Sequence, residues 1–323
     1  MAGILIFAET EVGSLHPGFW ELLTVGRQLA SQLDGKLRVV VSGGDIAAAE
    51  EARQSGADQV YLLQDPRLDD PLPDAHLAAF TTVCHELQPA LIVMPRSLLG
   101  MEVGARLAYR LGVGLAQDAM TLDVADGALT VTRPVFGGAA HATIRLTKVP
   151  WIVVPRTGAF SPTEPAAGAQ SELVTVQPEL PETDLKTACV SHARQQGLTQ
   201  NLERARVIIA GGRGLGGPEP FRLLHEIADL LDAAVGTSRP PCDSGWVEPA
   251  LQIGLTGKTV TPELYIAVGI SGAIQHITGC SSSRVIVAIN NDPGAPIFRM
   301  STYGIVGDWE EVLPAFCDAL AGV

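Results

Sequence analysis

The chain has 323 residues, of which 46% are hydrophobic and 18% charged, and a formal net charge of −13 at pH 7. This composition is ample for buried cores, argues against disorder, and suits roughly two domains. The acidic balance, without any cluster of Lys or Arg, argues against nucleic acid as a partner.

No apolar run approaches the roughly 20 residues that a membrane-spanning helix requires. The N-terminus also lacks the basic start and small-residue cleavage site of a secretory signal, so we expect a cytoplasmic protein with no membrane insertion. The five cysteines lie far apart and form no C-x-x-C pair. We therefore expect no metal site of the usual iron–sulfur or zinc spacing.

From Gly3 to about Val124 the hydrophobic pattern alternates between strands and helices, which is typical of a parallel sheet covered by helices. The predicted strands are Ile4–Ala8, Leu37–Val41, Gln59–Leu63 and Ala90–Met94. The predicted helices are Phe19–Leu33, Asp45–Ser55, Asp74–Glu86 and Met101–Leu111.

After Asp118 the pattern changes to short β segments, with Asp126-Gly127 as the signal of a hairpin turn. The strands predicted for this β-rich extension are Met120–Val124, Ala128–Arg133, Ala140–Leu146 and Trp151–Pro155. The stretch Thr157–Thr183 is rich in Pro, Gly, Ser, Thr and Glu. It predicts a connecting arm with little packing of its own.

A second alternation of strands and helices starts at Arg206, so we place a domain boundary near residues 195–205. The predicted strands are Val207–Ala210, Ala234–Gly236, Leu264–Val268, Val285–Ile289 and Gly304–Val306. The predicted helices are Pro220–Asp232, one that begins near Ser271, and Trp309–Ala321. We expect an α/β fold with two domains, residues 1–195 and 196–323, each a mostly parallel sheet flanked by helices.

Two glycine motifs in the second domain resemble nucleotide-binding signatures. Gly212–Gly217 fits G-x-G-x-x-G, but an NAD site adds an acidic residue at the tip of the next strand, and the tip Gly236–Arg239 has no carboxylate. Gly257-Lys258-Thr259 resembles the end of a P-loop, but Gln252 stands where that motif requires glycine. The missing carboxylate therefore argues against a plain NAD-binding Rossmann domain, and the missing glycine argues against ATP hydrolysis.

Polar residues follow the strands of the second domain, where α/β sheets bind their ligands. The loops in question are Gly211–Arg213, Thr237–Arg239, Gln252–Gly257, Ser271–His276 and Ala288–Asp292, with Asp308 beyond a further strand. Ser271 and Gln275 are four residues apart and would share one helix face, with His276 at its shoulder. So many points of contact suit an extended ligand on the scale of a dinucleotide.

Taken singly, these residues have plainer interpretations. A histidine between Ile274 and Ile277 is more often a partly buried side chain with its hydrogen bonds satisfied than a ligand contact. Arg239 alone is more often a surface residue or the partner in an ion pair, and Thr256 alone is a turn residue.

Longer stretches of the second domain carry a family resemblance. "PELYIAVGISGAIQH" (Pro262–His276), "VIVAINNDPGAPIF" (Val285–Phe298) and "YGIVGDW" (Tyr303–Trp309) resemble the α subunit of electron-transfer flavoproteins, as do "GGRGLGG", "AAVGTSR" and "QIGLTGK". The first domain resembles the same family through "ILIFAE", "ELLTVGRQLA" and "TRPVFGGAAHATIR". The stretches "SRPPCDSGW" and "QIGLTGKTV" look closer to the branch with nitrogen-fixation-associated and electron-bifurcating members.

The resemblance implies one FAD on the C-terminal domain, facing a β subunit in a heterodimer. The implied cofactor-binding residues are Arg213, Ser238, Arg239, Gln252, Ile253, Gly254, Leu255, Thr256, Ser271, Gly272, Ala273, Ile274, Gln275, His276, Asn290, Asp308 and Trp309.

The resemblance also implies a role for individual residues. Arg239 would lie over or beside the isoalloxazine ring, Thr256 would donate near its N5, and His276 would lie near its O2 edge. Arg213 and the Ser271–His276 turn would contact the flavin and its ribityl–pyrophosphate chain. At the other end of the cofactor, the adenosine would be held by Asn290 and Asp308.

The function implied by this resemblance is that of an electron carrier without a substrate reaction of its own, working between flavin dehydrogenases and an acceptor oxidoreductase. Two alternatives stay open from the residues alone: an NAD-dependent α/β dehydrogenase, or a non-catalytic adenine-nucleotide-binding protein. The chain departs from the commonest family pattern at Leu255, where many members have Gln, and at Pro240-Pro241-Cys242 and Glu248-Pro249-Ala250. The proline pair is expected to stiffen the loop that carries Arg239.

Overall fold

The computed structural model describes residues 3–11, 13–138, 140–166, 168–191, 202–203 and 205–321. The fold is α/β, as expected, and the chain divides into two compact units. One unit comprises Met1–Val135 with Ala140–Ala193, and the other Phe136–Ala139 with Arg194–Val323. The boundary predicted near residues 195–205 lies for the most part outside the described residues, so the domain limits drawn from the sequence stay a prediction.

The N-terminal unit is built from twelve strands and four helices among its described residues. The strands are β1 (Ile4–Ala8), β2 (Thr10–Glu11), β3 (Ser14–Leu15), β4 (Leu37–Ser42), β5 (Gln59–Leu63), β6 (Leu91–Val93), β7 (Leu115–Ala119), β8 (Thr121–Ala125), β9 (Ala128–Val135), β10 (Ala140–Leu146), β11 (Trp151–Pro155) and β12 (Glu172–Val176). The helices are α1 (Phe19–Leu33), α2 (Ile46–Arg53), α3 (Pro73–Leu87) and α4 (Leu98–Leu111).

Seven of these strands form one parallel sheet in the order β12-β5-β4-β1-β6-β11-β7. Alternate residues of the central strand β1 point to opposite faces. Ile4 and Ile6 pack into the cluster that includes Phe19 and Leu23 of α1, whereas Phe7 packs into the opposite cluster. Both faces are thus covered, which is why β1 is wholly apolar and wholly buried.

The β-rich extension is smaller than the sequence suggested. β8, β9 and β10 form a three-stranded antiparallel sheet, and the hairpin predicted at Asp126-Gly127 is confirmed, with φ of 51° and 69° at these two residues. The assignment of Trp151–Pro155 to this extension was wrong. All five residues of β11 are buried, and the strand lies between β6 and β7 in the parallel sheet.

The connecting arm predicted for Thr157–Thr183 also contains a strand. β12 pairs in parallel register with β5 along its whole length, from Glu172 opposite Gln59 to Val176 opposite Leu63. It is the edge of the sheet, with exposed and half-buried residues interleaved, so its composition resembles that of a loop. The prediction that this arm packs little was wrong at β12.

A buried carboxylate connects the helices on one face of the N-terminal unit. Asp74 of α3, whose side chain is 7% exposed, accepts a hydrogen bond from the guanidinium of Arg106 on α4. Its second oxygen accepts from the backbone N–H of Lys186 at 3.1 Å and the hydroxyl of Thr187 at 3.4 Å. Arg106, followed by these backbone and hydroxyl donors, holds the pKa of Asp74 below its usual range, and burial opposes this.

The C-terminal unit contains a second parallel sheet among its described residues. Its strands are β13 (Val207–Gly211), β14 (Ala234–Thr237), β15 (Leu264–Val268), β16 (Val285–Asn290) and β17 (Tyr303–Val306). Its helices are α5 (Phe221–Leu231), α6 (Arg239–Asp243), α7 (Ile274–Cys280) and α8 (Trp309–Ala321). The strand order is β14-β13-β15-β16-β17, so β13 and β15, the strands that precede the two glycine-rich loops, lie side by side.

The proline pair after Arg239 begins a short helix and does not stiffen a loop. α6 starts at Arg239, and the prolines occupy its first turn, where a missing N–H and a fixed φ are tolerated. In the described part of the chain, no helix is both long and apolar enough to cross a membrane. Nor does any group of three or more His, Cys, Asp and Glu side chains among these residues form a metal site.

Asp74→Asn is expected to lower the free energy of unfolding by about 1.5–3 kcal/mol at pH 7, the range for hydrogen bonds to charged groups. Because the folded-state pKa is lowered, the stabilisation is complete above the unfolded-state pKa of about 4 and is lost as pH falls through the folded-state pKa. Urea unfolding at pH 7 and near pH 3 should show the difference from wild type shrinking in acid.

The matched control is Glu102→Gln, which removes an exposed carboxylate from the same arginine. Exposed pairs contribute only about 0–1 kcal/mol, so this variant should stay close to wild type. Equal losses in the two variants would contradict the buried role of Asp74.

Candidate functional site

A cleft of about 590 Å³ opens at the carboxyl ends of β13, β14, β15 and β16. Its volume falls within the range of small-molecule and cofactor sites, and its position is the one where α/β sheets bind ligands. Most residues predicted for the site line it: Arg213, Ser238, Arg239, Gln252, Ile253, Gly254, Leu255, Thr256, Ser271, Ala273, Gln275, His276 and Asn290. Gly272, Ile274, Asp308 and Trp309 do not line it.

The first wall of the cleft depends on two loops whose backbones touch. The N–H of Gly212 donates to Val268 O at 2.8 Å, and that of Gly214 donates to Gly269 O at 3.0 Å. A Cβ on Gly212 would lie 2.2 Å from Gly269 O, so a side chain there would displace the neighbouring loop. The G-x-G spacing thus serves the packing of two strand ends, and Arg213 between the glycines projects into the cleft.

Trp309 supports this wall from outside the cleft. Its indole N–H donates to Gly214 O at 3.2 Å. Asp308 accepts from the backbone N–H of Glu310 at 3.0 Å and from that of Val312 through its carbonyl at 3.0 Å, which makes it the N-terminal cap of α8. These contacts give both residues structural roles, and their predicted contact with the cofactor stays a prediction.

The second wall is the loop from Gln252 to Lys258. Ile253 N–H donates to Thr237 O at 2.8 Å, and Leu255 N–H donates to Gln275 O at 2.7 Å. The side-chain amide of Gln252 donates to the Thr256 hydroxyl at 2.9 Å. Because that hydroxyl oxygen already accepts, its own proton remains available for a partner in the cleft.

The turn before α7 differs from the expectation. α7 begins at Ile274, so Ser271 precedes the helix and does not share a helix face with Gln275. Gly272 between them has φ of +82°, and a Cβ there would lie 2.3 Å from Ile297 N. Ser271 and Gln275 both reach the cleft, but the tight glycine turn brings them there, not helical periodicity.

His276 is buried in the floor of the cleft, with 6% of its surface exposed. Its Nε2 lies 2.9 Å from the Tyr265 hydroxyl, and its Nδ1 lies 3.0 Å from Ile253 O. Burial lowers its pKa to about 4, against the opposing effect of the Ile253 carbonyl. The plainer interpretation, a histidine with its hydrogen bonds satisfied, therefore describes the ring in this structure.

Both nitrogens of His276 have hydrogen-bond partners within the protein. The position that the resemblance implies for this residue, near the O2 edge of the flavin, stays a prediction.

Arg239 lies at the rim with its side chain 65% exposed. Its Nε donates to Asp243 at 3.1 Å, one helical turn further along α6. Arg239 is thus both the partner of Asp243 in an ion pair and a residue of the cleft rim. Since one edge of the guanidinium bonds Asp243, the remaining N–H groups of the planar fork can serve a ligand.

Asn290 organises the loop after β16. Its amide donates to Ile270 O at 3.0 Å, and its oxygen accepts from Asp292 N–H at 2.9 Å. Other residues line the cleft that were not predicted to bind the cofactor, although Asp292 lies in the predicted Ala288–Asp292 loop: Gly214, Pro240, Gly269, Ile270, Asp292, Ala295 and Pro296. Most of them contribute backbone or apolar surface that no polar signal marks, and Ala295 and Pro296 lie beyond every predicted loop.

The cleft fits a large, flat, anionic cofactor. Ile253, Leu255, Ile270, Ala295 and Pro296 supply apolar wall. Among the described lining residues, the charged side chains are Arg213, Arg239 and Asp292. Two guanidinium groups, several amide and hydroxyl groups and apolar walls are the combination that holds a ring system and a pyrophosphate. These features define a nucleotide-cofactor-binding α/β protein.

Comparison with known proteins identifies the family. Residues 4–181 match the electron transfer flavoprotein domain, and residues 201–281 match the electron transfer flavoprotein FAD-binding domain. The chain belongs to the electron transfer flavoprotein α-subunit family, and FAD is its cofactor. The expectations of family, fold class and cofactor are confirmed.

Relatives match along almost the whole chain. The electron transfer flavoprotein subunit alpha of Thermoanaerobacterium thermosaccharolyticum is 38% identical over 320 residues, covering 98% of this chain and 97% of the relative. Protein FixB of Clostridium saccharobutylicum is 38% identical over 315 residues, covering 97% and 94%. Protein FixB of Azorhizobium caulinodans is 40% identical over 323 residues, covering 98% and 88%.

Gly272→Ala is expected to empty the cleft of cofactor, and Gly216→Ala is not. Both glycines have φ of +82°, so both substitutions carry the same left-handed strain of about 1–2 kcal/mol. A Cβ meets nothing within 4 Å at Gly216, whereas at Gly272 it meets the backbone of Ile297.

The measurement is the FAD-to-protein ratio after purification, with urea unfolding as the check on stability. Equal FAD content in the two variants would mean that the turn tolerates displacement without effect on the cleft.

Proposed function

We propose that this chain is the FAD-holding subunit of a heterodimer with an electron-transfer flavoprotein β subunit. It passes electrons one at a time between flavin dehydrogenases and an acceptor oxidoreductase, and has no substrate reaction of its own. The observation that carries the proposal is the convergence of the Arg213, Thr237–Arg239, Gln252–Thr256 and Ser271–His276 loops on one cleft. The match of residues 201–281 to the family's FAD-binding domain supports it.

FAD supplies the redox chemistry when bound, and the chain supplies binding, orientation and electrostatics. Arg213 and Arg239 place two permanent positive charges at the cleft. Reduction adds negative charge to a bound flavin, so a nearby guanidinium makes reduction more favourable. The Thr256 hydroxyl accepts from the Gln252 amide at 2.9 Å, so its own proton would be the donor to an acceptor atom of the bound cofactor.

Two exposed apolar side chains beside the cleft favour the presence of a partner subunit that covers them. Leu255 is 65% exposed and Ile274 is 71% exposed. A cleft with such a rim is incompletely enclosed, and a β subunit that covers it would exclude water and hold the cofactor more tightly. The family's α and β subunits form such a pair, which is the assembly we assign to this chain.

The function is tested by expressing the chain with and without its β partner. We expect the co-expressed complex to be yellow, with the visible absorption bands of oxidised flavin, and the chain alone to lose flavin on gel filtration. A colourless complex that does not take up added FAD would refute the proposal. A stable monomer with full FAD content would refute the heterodimer alone.

The charges at the rim should tune the reduction potential in opposite directions. Arg239→Ala removes a positive charge and should lower the first potential by about 10–40 mV, the equivalent of an exposed interaction of about 0.2–1 kcal/mol. Asp243→Asn removes the carboxylate that pairs with the same arginine, so it should raise the potential. Arg239→Lys should recover part of the loss, because an ammonium cannot reproduce the planar fork.

Stepwise reductive titration against a reference dye measures these shifts. If Arg239 were only a surface ion-pair residue, the potential would be the same in all three variants.

A further inference from the structure

A chain of two hydrogen bonds runs beneath the cleft from strand β15 to the loop that carries Thr256. Tyr265 of β15 has no exposed surface, and its hydroxyl lies 2.9 Å from His276 Nε2 on α7. His276 Nδ1 lies 3.0 Å from the carbonyl oxygen of Ile253. Tyr265 lies outside the cleft lining, beyond the histidine.

The partners of the ring determine its tautomer. A carbonyl oxygen only accepts, so the bond to Ile253 requires a proton on Nδ1. A neutral imidazole then has a bare Nε2, which accepts the proton of the Tyr265 hydroxyl. The direction of donation is therefore Tyr265 to His276 to Ile253, and both ring nitrogens and the tyrosine proton have partners.

The surroundings of the ring favour its neutral form. The titratable groups against it are Tyr265 from β15 and Cys280 from α7, whose thiol donates to His276 O at 3.7 Å. Burial raises the pKa of Tyr265, and it raises that of Cys280 to about 12, so both groups are uncharged at neutral pH. Neither supplies the negative charge that would stabilise an imidazolium.

The chain of bonds controls the position of a cleft wall. Ile253 immediately precedes Gly254, Leu255 and Thr256 in the second wall. A rotated imidazole would release the Ile253 carbonyl and remove one of the contacts that hold this loop against α7.

We propose that Tyr265 is a positioning residue: the Ile253 carbonyl sets the neutral Nδ1–H tautomer of His276, and the Tyr265 hydroxyl holds that ring in place by donating to Nε2, which places the Ile253–Thr256 wall for the cofactor. His276 acts in this arrangement as a neutral bridge between α7 and the wall, and the positive charge of the site comes from the arginines. The inference rests on the proposed function only in assigning a flavin to the cleft.

The tautomer is measured directly by ¹⁵N NMR of the heterodimer labelled at its histidines. The chain has seven histidines, so His276→Gln identifies the resonance of interest by its loss. We expect the wild-type ring to show a protonated Nδ1 and a bare Nε2 at pH 7, with FAD bound and after its removal. A ring protonated on Nε2, or on both nitrogens, would overturn the proposal, and this outcome needs no variant of Tyr265.

The Tyr265→Phe variant tests the consequence. It removes only the donor and leaves Nε2 without a partner. We expect the ¹⁵N shift of the bare Nε2 to move, because this nitrogen loses its hydrogen-bond donor, and the FAD dissociation constant to rise about 2- to 12-fold, the equivalent of one hydrogen bond. Tyr303→Phe is the matched control, since Tyr303 is 65% exposed in the same unit, and it should change neither quantity.

A double variant separates positioning from simple destabilisation. If Tyr265 acts through His276, the effect of Tyr265→Phe on FAD affinity should largely vanish in a His276→Gln background. Additive losses would mean that Tyr265 acts independently and would refute the positioning role. A locked tautomer in a protein that never binds flavin would refute the proposed function and leave the tautomer assignment standing.

Discussion

The site depends on the close approach of two backbones where neighbouring strands β13 and β15 end. Parallel strands deliver their following loops to the same edge of the sheet, and adjacent strands deliver them within about 5 Å of each other. Two loop backbones can touch at this distance only where no side chain stands between them. Gly212 and Gly214 on one loop and Gly269 on the other meet this condition, with hydrogen bonds of 2.8–3.0 Å across the seam. Arg213 and Ser271 then leave the seam on the cleft side.

The same constraint explains which features could be predicted from the sequence. Buried parallel strands are continuous apolar runs, so β1, β4, β5, β13, β15 and β16 are visible in the sequence. Polar residues at strand ends point to the edge where the cleft lies. The edge strand β12 is not visible, because its stability comes from pairing with β5 and not from its own apolar pattern. β11 was assigned to the wrong sheet for another reason. Its pairing with β6 and β7 in the parallel sheet depends on topology, which the hydrophobic periodicity of a strand does not encode.

Individual site residues were harder to predict than the site itself. Polar side chains at the loop ends divide into those that face the cleft and those that hold the loops. Asn290 combines both tasks by bonding Ile270 and Asp292 within its own wall. Asp308 and Trp309 hold neighbouring backbone, which a motif resemblance cannot distinguish from contact with a cofactor. His276 lines the cleft, but its partner Tyr265 lies on a different element, so the hydrogen bond at its Nε2 was not predictable from the sequence.

The neutral and the charged polar groups of the cleft occupy different positions, because desolvating a charge costs more free energy than desolvating a neutral group. A charge buried in the floor would lose its hydration, a cost of several kcal/mol per ion unless it is paired, and the floor holds a neutral histidine instead. The charge of Arg239 lies at the rim, where hydration remains and Asp243 partly neutralises it. Solvent screening keeps the effect of each rim charge small, so single substitutions there adjust the electrostatics without unfolding the site. A substitution in the floor disturbs the wall and the cofactor together, because the buried hydrogen bonds have no water to replace them.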